Sequence, residues 1–207
     1  MLKTILITLV SLFLVSNNSD RSLNRLKQEG PANQTGILEK MIVANGSVAM
    51  DVDLKGLNGG RSRSQMNAFR FEATPNSFFT ILVFNGELRG LEPGSMTLIP
   101  QSGANPPVGL PTGLNASYHQ LVVESTSWGE SFELVVRDGR TGFVFFNIEG
   151  HQYGYAANQH LLGINKGRLL LSKEFATMLR RPSEAGSVVG KNPEQPFVIE
   201  RIGRECR

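Results

Sequence analysis

The sequence predicts an all-β fold: an antiparallel β-sandwich with one short C-terminal helix, a closed β-barrel being the alternative arrangement. Three observations lead there. Short runs of β-formers alternate apolar and polar residues with a period of two. Asx-Gly pairs and other glycine turns punctuate them at Asn45-Gly46, Asn85-Gly86 and Asp138-Gly139. Between the runs no helical period appears, which argues against alternating α/β units.

Before these strands the chain opens Met1-Leu-Lys3 and then runs apolar from Thr4 to Val15. A basic start and an apolar core of roughly a dozen residues form a signal-peptide pattern, too short to span a bilayer. Residues 1–16 are therefore read as a signal peptide and no transmembrane anchor is expected. Residues 17–36, rich in Asn, Ser, Gly and Pro, read as a flexible leader. Residues 37–190 form the β domain, and 191–207, broken by Pro193 and Pro196, a polar tail.

Within the domain, Ile37 to Val43 reads as a first strand closed by an Asn45-Gly46 turn. Val48, Met50, Val52 and Leu54 then share one face of the next strand, with Asp51 and Asp53 on the other. Phe69 and Phe71 mark a strand that Pro75-Asn76 stops. Ser77 to Phe84 and Glu87 to Leu91 pair across Asn85-Gly86. After a short strand at Met96 to Ile99, four prolines and three glycines between Pro100 and Gly113 specify a long loop. His119 to Val123 resumes the sheet.

The most legible stretch is Ser131 to Ile148, where Phe132, Leu134 and Val136 lead into Asp138-Gly139 and Phe143 to Phe146 return. The Asp-Gly pair predicts a tight two-residue hairpin turn. Strands at Tyr153–Tyr155, Leu161–Ile164 and Arg168–Leu171 follow. Ser172 is a good N-cap; Phe175, Met178 and Leu179 make one apolar stripe, and Pro182 stops the helix.

Charge and cysteine narrow the setting. The formal net charge is +3 and the single cysteine is Cys206, so an internal disulfide is excluded. An exported domain without bridges suits a bacterial envelope, secreted or periplasmic, better than a eukaryotic extracellular fluid. The basic residues are not clustered with aromatics as in nucleic-acid binders, so no nucleic-acid partner is expected.

Chemistry-bearing residues gather on the two flanks of the central hairpin. Trp128 precedes it; His151, Tyr153, Tyr155, Asn158, Gln159 and His160 follow. Aromatic rings with polar tips beside amides suit a half-wet, carbohydrate-binding surface. His151 and His160, with Glu149, form a metal set only if the segment folds back on itself. Asp51 and Asp53 are weak candidates for a bridging Ca²⁺, the only cofactor entertained. Glu124, Glu130, Glu133 and Glu149 are the acids available to a glycosidase, whose two carboxylates must stand at one of two fixed separations. No Gly-x-Ser-x-Gly elbow is present, and Gly59-Gly60-Arg61-Ser62-Arg63 lacks the lysine and helix of a phosphate loop. The reading that follows is a non-enzymatic exported protein binding a polysaccharide or protein partner, with an exported glycan or ester hydrolase as the alternative.

Overall fold

A computed structural model of the chain describes residues 36–60, 66–74, 79–101, 105–127, 133–193 and 195–201. The apolar N-terminal segment, Trp128, the basic pair Arg61 and Arg63, and Cys206 lie outside those residues. The fold is all-β, and of the two arrangements expected it is the barrel.

Thirteen strands form one antiparallel sheet: β1 (Leu38–Asp53), β2 (Met66–Ala73), β3 (Thr80–Phe84), β4 (Glu87–Leu91), β5 (Gly94–Pro100), β6 (Leu121–Ser125), β7 (Leu134–Asp138), β8 (Val144–Glu149), β9 (Gln152–Ala156), β10 (Leu161–Asn165), β11 (Gly167–Leu171), β12 (Val188–Asn192) and β13 (Gln195–Arg201). Eight of them close in the order β12-β11-β8-β7-β6-β5-β2-β1, with β1 returning to β12. Closure leaves the eight barrel strands without a free edge at that end, while β4 and β9 are the edge strands of the extension. The remaining five strands extend the sheet past one end of the barrel, where β1 is flanked by β3 and β4 on one side and by β13, β10 and β9 on the other.

β1 makes this possible by running unbroken for 16 residues. Asn45-Gly46, expected as a hairpin turn, does not turn. The pairing with β13 instead shifts register between Val43 and Asn45, a bulge within a continuous strand. Along one edge β1 pairs first with β3 and then with β2; along the other, first with β13 and then with β12. Partners on both sides of the Asn-Gly pair outweigh its local preference, and the bulge absorbs the change of direction. The segment expected as a tail from Lys191 ends β12 and supplies β13, which pairs with both β1 and β10.

The interior is the period-two face of each strand. Val48, Met50 and Val52, Phe69 and Phe71, Leu134 and Val136, and Phe146 and Ile148 are all buried in one core cluster. Among the described residues, three short α-helices close the opposite end: α1 (Leu54–Leu57), α2 (Thr112–Ser117) and α3 (Lys173–Met178). α2 begins directly after the proline-rich loop, with Pro111 as its N-cap residue, where a missing N–H costs nothing. Its Leu114 and the adjoining Tyr118 are buried, and the Tyr118 ring lies 5.3 Å from that of Phe71. α3 has the expected cap: Ser172 Oγ accepts from the Phe175 amide at 2.9 Å. Phe175 then meets Phe145 edge-on at 5.1 Å and Phe146 at 5.7 Å, sealing that end with aromatic packing.

The barrel seam is its narrowest joint. β1 and β12 share only the pairs Asp51–Lys191 and Val52–Gly190. A Cβ on Gly190 would fall within the van der Waals envelope of the Asp51 carbonyl oxygen, with Leu169 close behind. Gly190→Ala should therefore cost about 1–3 kcal/mol by forcing the seam apart, read as a lowered midpoint in urea. An unchanged midpoint would show that the seam is not a tight joint.

Candidate functional site

The residues expected to form a site divide into three groups. Tyr153 and Tyr155 share one face of β9, as their spacing requires, but that face packs against the core. The Tyr155 hydroxyl reaches Met41 Sδ at 3.5 Å. Neither ring offers an open platform for stacking a sugar. Asn158 and His160 are exposed in the turn between β9 and β10, with His160 at φ +52°. His151 lies at the other end of β9. Trp128 is outside the described residues.

His151 is the most highly connected of these side chains. Its Nε2 stands 2.8 Å from the Tyr153 hydroxyl and 3.1 Å from Glu133 Oε2. Burial pushes the Tyr153 phenol well above its ordinary range, and the charge and hydrogen bond of Glu133 push it the same way. Glu149 does not join this group, because it is ion-paired with Arg168. His151, His160 and Glu149 thus do not converge, and among the described residues no three His, Cys, Asp or Glu side chains are grouped to hold a metal.

The two acids considered for Ca²⁺ are engaged elsewhere. Asp51 lies 3.4 Å from Arg70 and 4.0 Å from Lys191 across neighbouring strands. Asp53 caps α1, accepting from the Gly56 amide at 3.1 Å. Of the acids near the central hairpin, Glu124 is ion-paired with Arg137 and Glu133 is hydrogen-bonded to His151.

The geometry gathers a different set of residues at the helical end. A cleft of about 540 Å³ lies between α2, α3 and the loop joining β7 to β8. Phe143, Phe145 and Met178 give it apolar walls; Gln120, Arg140, Thr141 and Glu174 give it hydrogen-bonding ones. Its volume falls within the range of small-molecule pockets. These residues come from three separate stretches of chain and share no motif, so the sequence alone did not join them.

Asp138 holds the cleft together. The hairpin it begins is real, but its turn is a four-residue loop in which Gly142, not Gly139, takes positive φ. The Gly142 amide donates to the Asp138 carbonyl at 2.9 Å. The Asp138 side chain accepts from the Arg140 amide at 2.9 Å, the Thr141 amide at 2.6 Å and Gln120 Nε2 at 2.6 Å. Those side-chain bonds favour a longer, Asx-type loop over the two-residue turn. Gly139 matters for another reason: a Cβ there would press on the Gln120 carbonyl at 2.9 Å. Burial alone would raise the Asp138 pKa, but hydrogen bonds from Ser117, Thr141 and Arg140 more than reverse this. They hold its carboxyl well below the usual carboxylate range. Glu174, in the first turn of α3, adds a second tie by accepting from the Val144 amide at 2.8 Å.

Two pH dependences follow. The folded Asp138 pKa is depressed, so its contribution is complete above the unfolded carboxylate value near 4 and is lost as pH falls below it. Asp138→Asn should cost about 1–3 kcal/mol at neutral pH, with the gap to wild type narrowing in acid; a gap independent of pH would contradict the assignment. The Tyr153 pKa is raised, so its contribution is complete below about pH 10 and is lost as pH rises. Tyr153→Phe should flatten the alkaline fall in urea midpoint. An equally steep fall in the variant would place the titration elsewhere. Comparison with known proteins finds no matching family model, no matching curated protein and no matching solved structure.

Proposed function

We propose that this protein is an exported, non-enzymatic binding protein of the bacterial envelope or extracellular space, and that its helical-end cleft takes a short segment of polysaccharide. The observation that carries the reading is the cleft itself. It sets the half-buried ring of Phe143, backed by the buried Phe145, beside Gln120, Arg140 and Glu174. A sugar ring has an apolar face and a rim of hydroxyls, and this mixture matches both. Export rests on the residue 1–16 pattern. No helix among the described residues is long and apolar enough to cross a membrane.

Binding is favoured over hydrolysis by how the acids are employed. Asp138 is buried, and its structural hydrogen bonds hold its carboxyl well below the usual carboxylate range. Glu124 and Glu149 are neutralised by arginine partners. A general acid needs the opposite environment, one that raises its pKa towards the working pH.

The test is a glycan array followed by calorimetric titration of the best ligand. Arg140→Ala and Glu174→Gln should each weaken binding by about tenfold, equivalent to about 1.4 kcal/mol, with melting midpoints near wild type. Affinity unaltered by both substitutions would move the site elsewhere. Release of shortened glycan would establish a hydrolase instead.

A further inference from the structure

Charge is divided unevenly over the fold. Along the barrel wall and the outer strands, cations are matched by acids. Arg70 and Lys191 lie 3.4 Å and 4.0 Å from Asp51, and Lys40 pairs with Glu92, Arg137 with Glu124 and Arg168 with Glu149. At the helical end four exposed cations make no ion pair: Lys55 on α1, Arg140 in the β7–β8 loop, Lys173 at the start of α3 and Arg180 just past its end. Among the described side chains, only Lys166 shares that state elsewhere.

The acids of the helical end are engaged in the fold itself. Asp53 caps α1, Asp138 is buried beneath its loop, Glu174 accepts from the Val144 amide, and Glu184 is ion-paired with Arg181. Negative charge there serves the structure while positive charge faces outward. Unpaired charges of one sign around a cleft attract ligands of the other.

Arg180 sharpens the point. The chain leaves α3 with Arg180 at φ +59°, and the Arg181 amide donates to the Ala176 carbonyl at 2.8 Å. This is the left-handed, helix-ending position that glycine fills at the least steric cost. An arginine there is a local disadvantage, and its guanidinium makes no ion pair to offset it. Its neighbour Arg181, by contrast, works for the fold: Nη1 donates to the Gly56 and Leu57 carbonyls at 2.9 Å and 2.8 Å, tying α1 to the end of α3. Lys55 and Arg180 each stand one residue from that tie, and Arg180 stands two residues beyond Met178 of the cleft wall.

We propose that the polysaccharide taken by the cleft is acidic, its carboxylate or sulfate groups held by Arg140 and Arg180 with Lys55 and Lys173 at the margin. This rests on the glycan-binding reading above and adds the charge of the ligand. A guanidinium meets either acid group with two parallel N–H donors. Phe143, Gln120 and Glu174 are left for the face of the sugar ring and its hydroxyls.

Calorimetric titration of the full chain tests this with two matched pairs: oligogalacturonate and its methyl ester, and a sulfated oligosaccharide and its desulfated counterpart. At least one acidic oligomer should bind about tenfold tighter than its neutral match at low salt, the advantage shrinking as sodium chloride is added. Arg180→Gly should weaken that acidic ligand about twofold to fivefold, as loss of one exposed ion pair does. It should leave the neutral match unchanged and the melting midpoint no lower than wild type. Neutral oligomers bound as tightly as acidic ones would overturn the proposal and leave the glycan reading standing. Absence of binding to every glycan, charged or neutral, would end both. Equal loss of acidic and neutral ligand in Arg180→Gly would overturn the proposal by making Arg180 structural. Polyglutamate bound as tightly as the acidic glycan would overturn it by reducing the site to a general cation exchanger.

Discussion

The fold depends on one strand being hydrogen-bonded along both edges while the partners on each edge change. β1 is a wall of the barrel from Gly46 to Asp53 and a member of the outer extension from Leu38 to Gly46. A hairpin at Asn45-Gly46 would end that double duty. It would remove the platform on which β3 and β13 pair, and with β13 the support of β10 and β9. The bulge is the physical compromise: one unpaired residue redirects the strand without breaking it.

A strand shared in this way forces other chains to cross between the two regions, and crossings are where backbone and side-chain polar groups lose regular partners. The polar residues at or beside those points include His151, Asn165 and Asn192. Placing them there costs desolvation that an apolar residue would avoid. The same region contains the sharp backbone of Lys166, at φ +62°, and Gly167, which leaves room for Asn192 and His151 on either side.

Much of this was legible in the sequence, because half-buried strands announce themselves by period two. Val48-Met50-Val52, Phe69-Phe71 and Leu134-Val136 point inward as their alternation requires. Ser172 caps α3 as its chemistry dictates, and Asn85-Gly86 turns with both residues at positive φ. Asn45-Gly46 has the same local chemistry and behaves differently, since the decision rests with β13, some 150 residues away in the chain, and local signals carry no such information. Asp138-Gly139 turns in a different way for a nearer reason. The donors at Arg140, Thr141 and Gln120 draw the aspartate into an Asx loop. The cleft was illegible throughout, because α2, the β7–β8 loop and α3 meet only after the barrel has closed.

The two ends of the barrel therefore differ in what they can do. At the end away from the helices, Tyr153 and Tyr155 pack against the core and His151 is hydrogen-bonded to Tyr153 and Glu133. At the helical end the polar groups face an open cleft, and the buried Asp138 organises the loop from beneath without facing a ligand itself. A carboxylate fixed by two backbone amides and a glutamine side chain makes the β7–β8 loop stiff, and a stiff loop presents Arg140 and Phe143 at little conformational cost on binding. That division, rigidity supplied from below and an exposed polar rim above, is the arrangement on which the proposed binding role rests.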